Sequence, residues 1–193
     1  MEWIEVPEKG LTLREVRTMT NRNVNLSDDL EKSVSAILAQ VKEGGDEAIR
    51  ALTKKFDGVD LTDFQVSESE IEEAVKAVGP EFLAVLKEAK ENIEAFHREQ
   101  VRKSWSKTFR DGVELGERFL PIQRVGVYVP GGRAAYPSTV LMDTVPAMVA
   151  GCPSVAMATP PGKDGKVNPN ILAAAYVAGV KEIYKVGGAQ GIG

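Results

Sequence analysis

Apolar residues in the N-terminal half of the chain recur at the three- and four-residue spacing of amphipathic helices. A first helix is predicted from the candidate cap Ser27 through Val41, with Gly44-Gly45 as its end. A shorter helix should follow and close at Asp57-Gly58. Together with the signals that come next, this pattern predicts a mainly helical region over residues 1–106.

Two further signals divide the remainder of this helical region. Ser67 and Glu70 have the spacing of a capping box, in which the hydroxyl accepts from the amide three residues on and the glutamate reaches back. Gly79-Pro80 should break the chain and restart it, because proline suits a first helical turn. The helix from Phe82 to about Gln100 carries an apolar seam, which predicts packing along another long element.

The pattern changes at Ser104, where short strands and helices begin to alternate. Asp111-Gly112 lies between two strand-like segments and predicts a β-hairpin, because this pair tolerates the positive φ of a tight turn. Strand, helix, strand, helix and strand then follow at about 124–129, 139–150, 154–158, 169–178 and 182–186. Such alternation predicts a parallel sheet with right-handed crossovers.

The predicted fold class is therefore α/β, with an N-terminal helical segment and half of a Rossmann-like parallel sheet. Residues 107–193 would form a hairpin and an incomplete doubly wound domain that stops after its third strand. Gly151 and Gly179 stand at helix C-termini, and Asn168-Pro169 stands at a helix start. Pro146 lies inside a helix and should kink or split it.

Composition narrows the class of protein. The formal net charge of −4 argues weakly against nucleic acid or an anionic membrane as the main partner. The sequence has no apolar run of about 18 residues and no signal-peptide pattern at its N-terminus, so no membrane partner is expected. The single cysteine, Cys152, cannot form an internal disulfide, and a cytoplasmic location fits all of this.

The turn after the first strand of the α/β half is a candidate ligand site. Gly131 and Gly132 allow backbone N–H groups to approach a ligand, and a nearby helix N-terminus favours anionic groups. Tyr128 lies at the carboxyl end of that strand, where open α/β sheets bind ligands. The alternatives are a structural turn with Ser138 or Thr139 as the helix cap, and a core tyrosine whose hydroxyl is satisfied.

The turn after the last strand repeats this arrangement. Gln190 follows Gly187-Gly188 and should stand at the same sheet edge as Tyr128, where an amide can bond a ribose or another amide. The alternative is a helix-capping or surface glutamine. Residues 159–166 carry glycines and lysines at the wrong spacing for a P-loop and are predicted to form a rigid, solvated loop.

The residues give no sign of a zinc site or an activated nucleophile. A protein zinc site needs three or four ligands, and His97 and Cys152 are the only soft candidates. We interpret His97 as a partly exposed helix residue and Cys152 as a buried inert thiol, because no histidine lies close to it in sequence.

Taken in order, many blocks of this chain resemble the histidinol dehydrogenases. The blocks are Gly45–Ala48, Phe56–Gly58, Val66-Ser67, Asn92–His97, Val125–Gly132, Tyr136–Met142, Pro146–Gly151, Thr159–Gly165, Asn168-Pro169 and Ile183–Gln190. The resemblance implies an oxidoreductase of histidine biosynthesis that oxidises L-histidinol through a bound aldehyde to L-histidine, with zinc and two NAD molecules in turn. It also implies incomplete Rossmann-like units and dimer-forming segments, hence a homo-oligomer.

The resemblance maps two NAD contacts onto this chain. The tyrosine before Pro-Gly-Gly is Tyr128 and the glutamine of Gly-Gly-Ala-Gln is Gln190. Gly131 and Gly132 join them as cofactor-binding candidates. The family's zinc ligands and its Glu-His acid–base pair follow that block, so the expected set of catalytic and metal-binding residues in this chain is empty.

We therefore expect an N-terminal portion of the enzyme that is inactive alone. Two alternatives stay open. One is a stand-alone nucleotide-binding module without chemistry. The other is a self-associating structural module, because the edge of a three-stranded sheet is unfinished and can recruit another strand.

Overall fold

The structure is a computed structural model that describes residues 10, 12, 16, 28–131 and 135–193. The chain divides into two compact units, Met1–Ala36 and Ile37–Gly193. The candidate cap Ser27 lies outside the described residues. The domain boundary predicted at residue 106 stays a prediction.

Four helices and five strands make up the described fold. The helices are α1 (Asp28–Asp57), α2 (Glu68–Arg98), α3 (Pro137–Val149) and α4 (Pro169–Ala178). The strands are β1 (Trp105–Arg110), β2 (Val113–Glu117), β3 (Arg124–Tyr128), β4 (Ser154–Ala158) and β5 (Glu182–Tyr184), followed by a 3-10 turn at Ala189–Gly191. This order confirms the α/β class. None of the described helices is long and apolar enough to cross a membrane.

The glycines that were predicted to separate helices lie at sharp kinks within α1 and α2. Gly45 in α1 has φ 54° and Gly79 in α2 has φ 77°, and the helix resumes directly after each. Glycine reaches positive φ without a Cβ clash, so a single residue changes the helix direction while both halves keep their hydrogen bonds. Each long helix therefore consists of two helical segments that meet at a glycine kink, as predicted.

The capping box at the start of α2 is confirmed. The Ser67 hydroxyl accepts from the Glu70 N–H at 3.2 Å, and the Glu70 carboxylate accepts from the Ser67 N–H at 2.9 Å. The expected seam of α2 packs against the two short helices α3 and α4 rather than along one long element. Its last large residue, Phe96, is exposed.

The parallel sheet is confirmed, with strand order β3-β4-β5. Val127 pairs with Met157, which pairs in turn with Ile183. The side chains of Met157 and Ile183 are fully buried, in one hydrophobic cluster with residues of α2, α3 and α4. This cluster joins the sheet to the three helices.

The outer edge of β5 is covered by a segment from earlier in the chain. Gln65 forms an antiparallel bridge with Tyr184. Next to it, the Val66 N–H donates to the Ile183 carbonyl at 2.9 Å, and the Lys185 N–H donates to the Phe64 carbonyl at 2.6 Å. A segment just before α2 thus acts as a short fourth strand, a pairing across more than a hundred residues that no local pattern reveals.

The ends of the short helices follow the predicted signals in part. The Asn168 side chain accepts from the Asn170 N–H at 2.9 Å to begin α4, and Gly179 ends it with φ 94°. Helix α3 begins earlier than predicted, after Tyr136, so neither Ser138 nor Thr139 is its cap. The helix also runs through Pro146 without splitting.

The hairpin is confirmed, with Asp111-Gly112 as its turn and φ 74° at Gly112. Its two strands are almost entirely exposed.

Candidate functional site

The turns that follow the three parallel strands meet at one edge of the sheet. A Cβ placed on Gly131 would lie 3.1 Å from both the Thr159 Oγ1 and the Pro160 Cγ. A Cβ on Gly187 would lie 2.5 Å from the Pro160 Cβ, which is an overlap. Glycine is therefore needed at Gly187, and the three turns form one packed edge.

Tyr128 joins the first of these turns to the third. Its hydroxyl accepts a hydrogen bond from the Gly188 N–H at 3.1 Å, although 60 residues separate the two in sequence. The side chain is half-buried, so it is neither a core tyrosine nor a surface one. Because a phenol can accept and donate at once, its own proton can still serve a further acceptor.

Gln190 lies at the same edge, as predicted, but it is not a surface residue. It is 3% exposed, in the 3-10 turn after Gly188. Its Nε2 is buried and has no hydrogen-bond partner among the residues that the structure describes. A buried amide without a partner costs about 1–3 kcal/mol, so such an atom in a strand-end turn marks a place where a ligand can supply an acceptor.

A cavity of about 550 Å³ lies beside Gln190 and the ends of β4 and β5. Arg50 forms part of its wall, with its guanidinium bonded to the carbonyls of Leu61 and Thr62 and placed 5.1 Å from the Phe64 ring centroid. These contacts hold the guanidinium against the protein. Arg50 therefore shapes the wall rather than offering a free positive charge.

Thr159 is a site residue that sequence reasoning missed. It was included in a loop predicted to be solvated, yet its side chain is 0% exposed, and only the tip of the loop, Lys163-Asp164 and Lys166, is exposed. Its Oγ1 is buried without a partner in the described part of the chain. Its position directly after β4, between the two glycine turns, is the sequence signal that could have identified it.

Gly132 lies outside the described residues. Gly131 is described and half-buried. Helix α3 begins close by, and the side chain of its N-cap residue Tyr136 makes no capping hydrogen bond. A helix start is suited to anionic groups of a ligand.

His97 and Cys152 lie away from this edge. The His97 Nδ1 shares a 2.7 Å hydrogen bond with the Gln100 Oε1. Both residues line a separate cavity of about 440 Å³ whose wall includes Leu120 and Pro146. Among the described ranges, no group of three or more histidine, cysteine, aspartate or glutamate side chains is arranged to hold a metal ion. The described residues therefore do not fit a zinc site.

Comparison with known proteins agrees with this architecture. The family model for histidinol dehydrogenase matches residues 20–193. The histidinol dehydrogenase of Heliobacterium mobile is 50% identical over 189 residues, which cover 92% of this chain and 44% of that protein. That of Chlorobaculum tepidum is 47% identical over 186 residues, which cover 96% of this chain and 43% of that protein.

A solved structure is similar as well. The crystal structure of histidinol dehydrogenase from Elizabethkingia anophelis matches with a TM-score of 0.86 and 38% identity. The match covers 94% of this chain and 42% of that chain. This chain thus spans less than half the length of these relatives, and it belongs to the histidinol dehydrogenase family.

Proposed function

We propose that this chain supplies the NAD-binding sheet edge of a histidinol dehydrogenase, which oxidises L-histidinol to L-histidine in histidine biosynthesis. Family membership supports the parent activity. The observation that carries the binding role is the buried, unpaired amide of Gln190 beside the Tyr128–Gly188 hydrogen bond. A cytoplasmic location stays a prediction from the sequence.

The described residues fit a dinucleotide. Gln190 has a free N–H donor, Tyr128 has a hydroxyl proton that its bond from Gly188 does not use, and Gly131 brings backbone close to the strand ends. We assign Tyr128 and Gln190 to polar groups of NAD, and Gly131 with Gly132 to its phosphates. When bound, NAD accepts a hydride from the substrate. This chain's part is to bind and orient it.

The described residues do not fit zinc, so we derive no catalytic step from a metal held here. We propose that the family's zinc ligands and acid–base pair lie in the part of the relatives that this chain does not match. Without a base, the alcohol proton has no acceptor, so the chain alone should not turn over. NADH formation by the pure chain from L-histidinol and zinc would contradict this.

NAD binding is tested by calorimetry on the 193-residue chain and two tyrosine variants. Tyr128→Phe removes the hydroxyl that accepts from Gly188, and we expect the dissociation constant to rise about tenfold. Tyr176→Phe is the matched control, because Tyr176 is exposed on α4. Equal losses in the two variants, or none in either, would remove Tyr128 from the site.

We further propose that two copies of the chain associate through the hairpin and the segment after it. Phe109 and Leu115 are 56% and 57% exposed, and Leu120 and Ile122 are each 67% exposed. A two-stranded hairpin is marginal in water without a covered face, and an apolar patch of this kind marks a protein interface. Light scattering across a concentration series tests this, since a strict monomer at high concentration would contradict it.

A further inference from the structure

One ion pair among the described residues has both side chains largely buried. The Lys185 Nζ lies 3.0 Å and 3.3 Å from the two carboxylate oxygens of Glu70, and the side chains are 11% and 21% exposed. By contrast, Lys166 and Glu73 form a longer pair of 3.5 Å with side chains 63% and 69% exposed. A pair shielded from water holds its geometry far better than an exposed one.

Glu70 is fixed from two sides. Its carboxylate accepts from the Ser67 N–H at 2.9 Å and from the Ser67 hydroxyl at 3.1 Å, which ties it to the start of α2. Lys185 donates to both oxygens of the same carboxylate. The lysine is thus bound to a group that has little freedom to follow it if it moves.

Lys185 is fixed through its backbone as well. Its N–H donates to the Phe64 carbonyl at 2.6 Å, in the short antiparallel segment that covers β5. Main chain and side chain of one residue are therefore both attached to the stretch that leads into α2. Lys185 is therefore held through both its main chain and its side chain.

The site turn begins two residues later. Gly187-Gly188 follow Val186, and Gly188 has φ 63°, a conformation that glycine enters without a side-chain penalty. Packing on Pro160 holds Gly187, and the anchored Lys185 two residues before it sets where the chain enters the turn whose Gly188 N–H bonds Tyr128. Among the described residues, neither Glu70 nor Lys185 forms a hydrogen bond with Tyr128 or Gln190.

We infer that Glu70 and Lys185 are positioning residues for the strand-end site: their ion pair anchors the carboxyl end of β5 and thereby places the Gly188 amide and Gln190. The inference rests on the proposed function for its effect on NAD. The placement of the Gly188 amide against Tyr128 by this ion pair does not depend on the proposed function and can be tested without a ligand.

The test compares Lys185→Met with Lys166→Met. Lys166→Met is the matched control because it breaks the exposed pair with Glu73, which lies on the same helix as Glu70. Amide hydrogen exchange by NMR reports the Gly188 N–H, and the Ala174 N–H inside buried α4 reports global opening. We expect Lys185→Met to speed exchange at Gly188 about tenfold more than at Ala174, and Lys166→Met to change their ratio less than about twofold. Lys185→Arg should keep the wild-type ratio.

NAD affinity supplies the second readout. We expect the dissociation constant to rise about fivefold or more in Lys185→Met and to stay within about twofold in Lys166→Met and Lys185→Arg. Equal acceleration at Gly188 and Ala174 would show that the pair stabilises the whole fold only, and would overturn the inference. A wild-type chain that binds no NAD would sink the proposed function instead, while the exchange ratio would still decide the positioning role.

Discussion

The strand-end edge and the hairpin surface depart from ordinary burial in opposite ways. At the strand ends, Thr159 and Gln190 bury polar atoms that have no partner in the described chain. On the hairpin, Phe109 and Leu115 expose large apolar side chains to water. A hydrogen-bonding ligand removes the energetic cost of an unpaired buried polar atom, whereas another protein surface removes the cost of exposing an apolar face to water. The contrast suggests a small-molecule site at one place and a protein contact at the other.

The largest effect should come from closing the tightest contact at the strand ends. Gly187→Ala would place a Cβ 2.5 Å from that of Pro160, and we expect it to lower the free energy of unfolding by about 1–3 kcal/mol. Gly126→Ala is the control, since a Cβ there meets no described atom within 4 Å. Urea unfolding of both variants measures the difference. Equal stability of the two would mean that the turns are not packed as described.

Two buried threonines test whether the unpaired hydroxyl of Thr159 lowers the free energy of unfolding. The Thr144 hydroxyl donates to the Val140 carbonyl at 2.6 Å, so Thr144→Val should lower the free energy of unfolding by about 1 kcal/mol. Thr159→Val removes an unpaired hydroxyl and should leave it unchanged or raise it by up to about 1 kcal/mol. Chemical denaturation distinguishes the signs, and a loss in Thr159→Val equal to that in Thr144→Val would show a bonded hydroxyl.

Glu70 should contribute to the loss of stability at acid pH. Burial alone raises the pKa of this carboxyl, but hydrogen bonds from the Ser67 N–H and from Lys185 outweigh it and leave the pKa below its usual value. Because the pKa of Glu70 is lower in the folded state, the ionised carboxylate stabilises the fold. This contribution is fully present above the usual glutamate pKa of about 4.3 and is lost as pH falls through the folded pKa. Glu70→Gln should reduce the acid-induced loss by up to about 1 kcal/mol in denaturation at stepped pH. An unchanged acid limb would contradict the assignment.

The smallest effect on stability should come from the hairpin. Changing exposed Phe109 and Leu115 together to serine should alter the free energy of unfolding by less than about 0.5 kcal/mol. The same change should shift the scattering mass toward the monomer, because it removes apolar area from the proposed interface. A variant that loses stability but still associates would show that these side chains support the fold of the chain and do not form the proposed interface.

The sequence predicts that Tyr128 and Gln190 stand at the same edge of the sheet, because the carboxyl ends of parallel strands share one edge. It also predicts the capping box of α2, which depends on residues three positions apart. Both follow from local spacing or from a general rule of sheet topology.

What was missed depends on distant contacts. The cover of β5 by Gln65 depends on pairing across more than a hundred residues, and the unpaired hydroxyl of Thr159 is visible only once its neighbours are placed. The start of α3 at Pro137 was misplaced because two hydroxyl residues just after it are also plausible caps. Local patterns therefore located the site edge, and tertiary packing decided which side chains it holds unpaired.

The most direct test of the account is calorimetric titration of NAD into the wild-type chain and Gln190→Leu in parallel. The account predicts one saturable site in the wild type and a dissociation constant at least about tenfold higher in the variant. No loss of stability is expected, because leucine removes a buried Nε2 that has no partner among the described residues. Gln123→Leu, at an exposed position before β3, should bind like the wild type. Equal NAD affinity in the wild type and Gln190→Leu would contradict the claim that this edge binds the dinucleotide through Gln190.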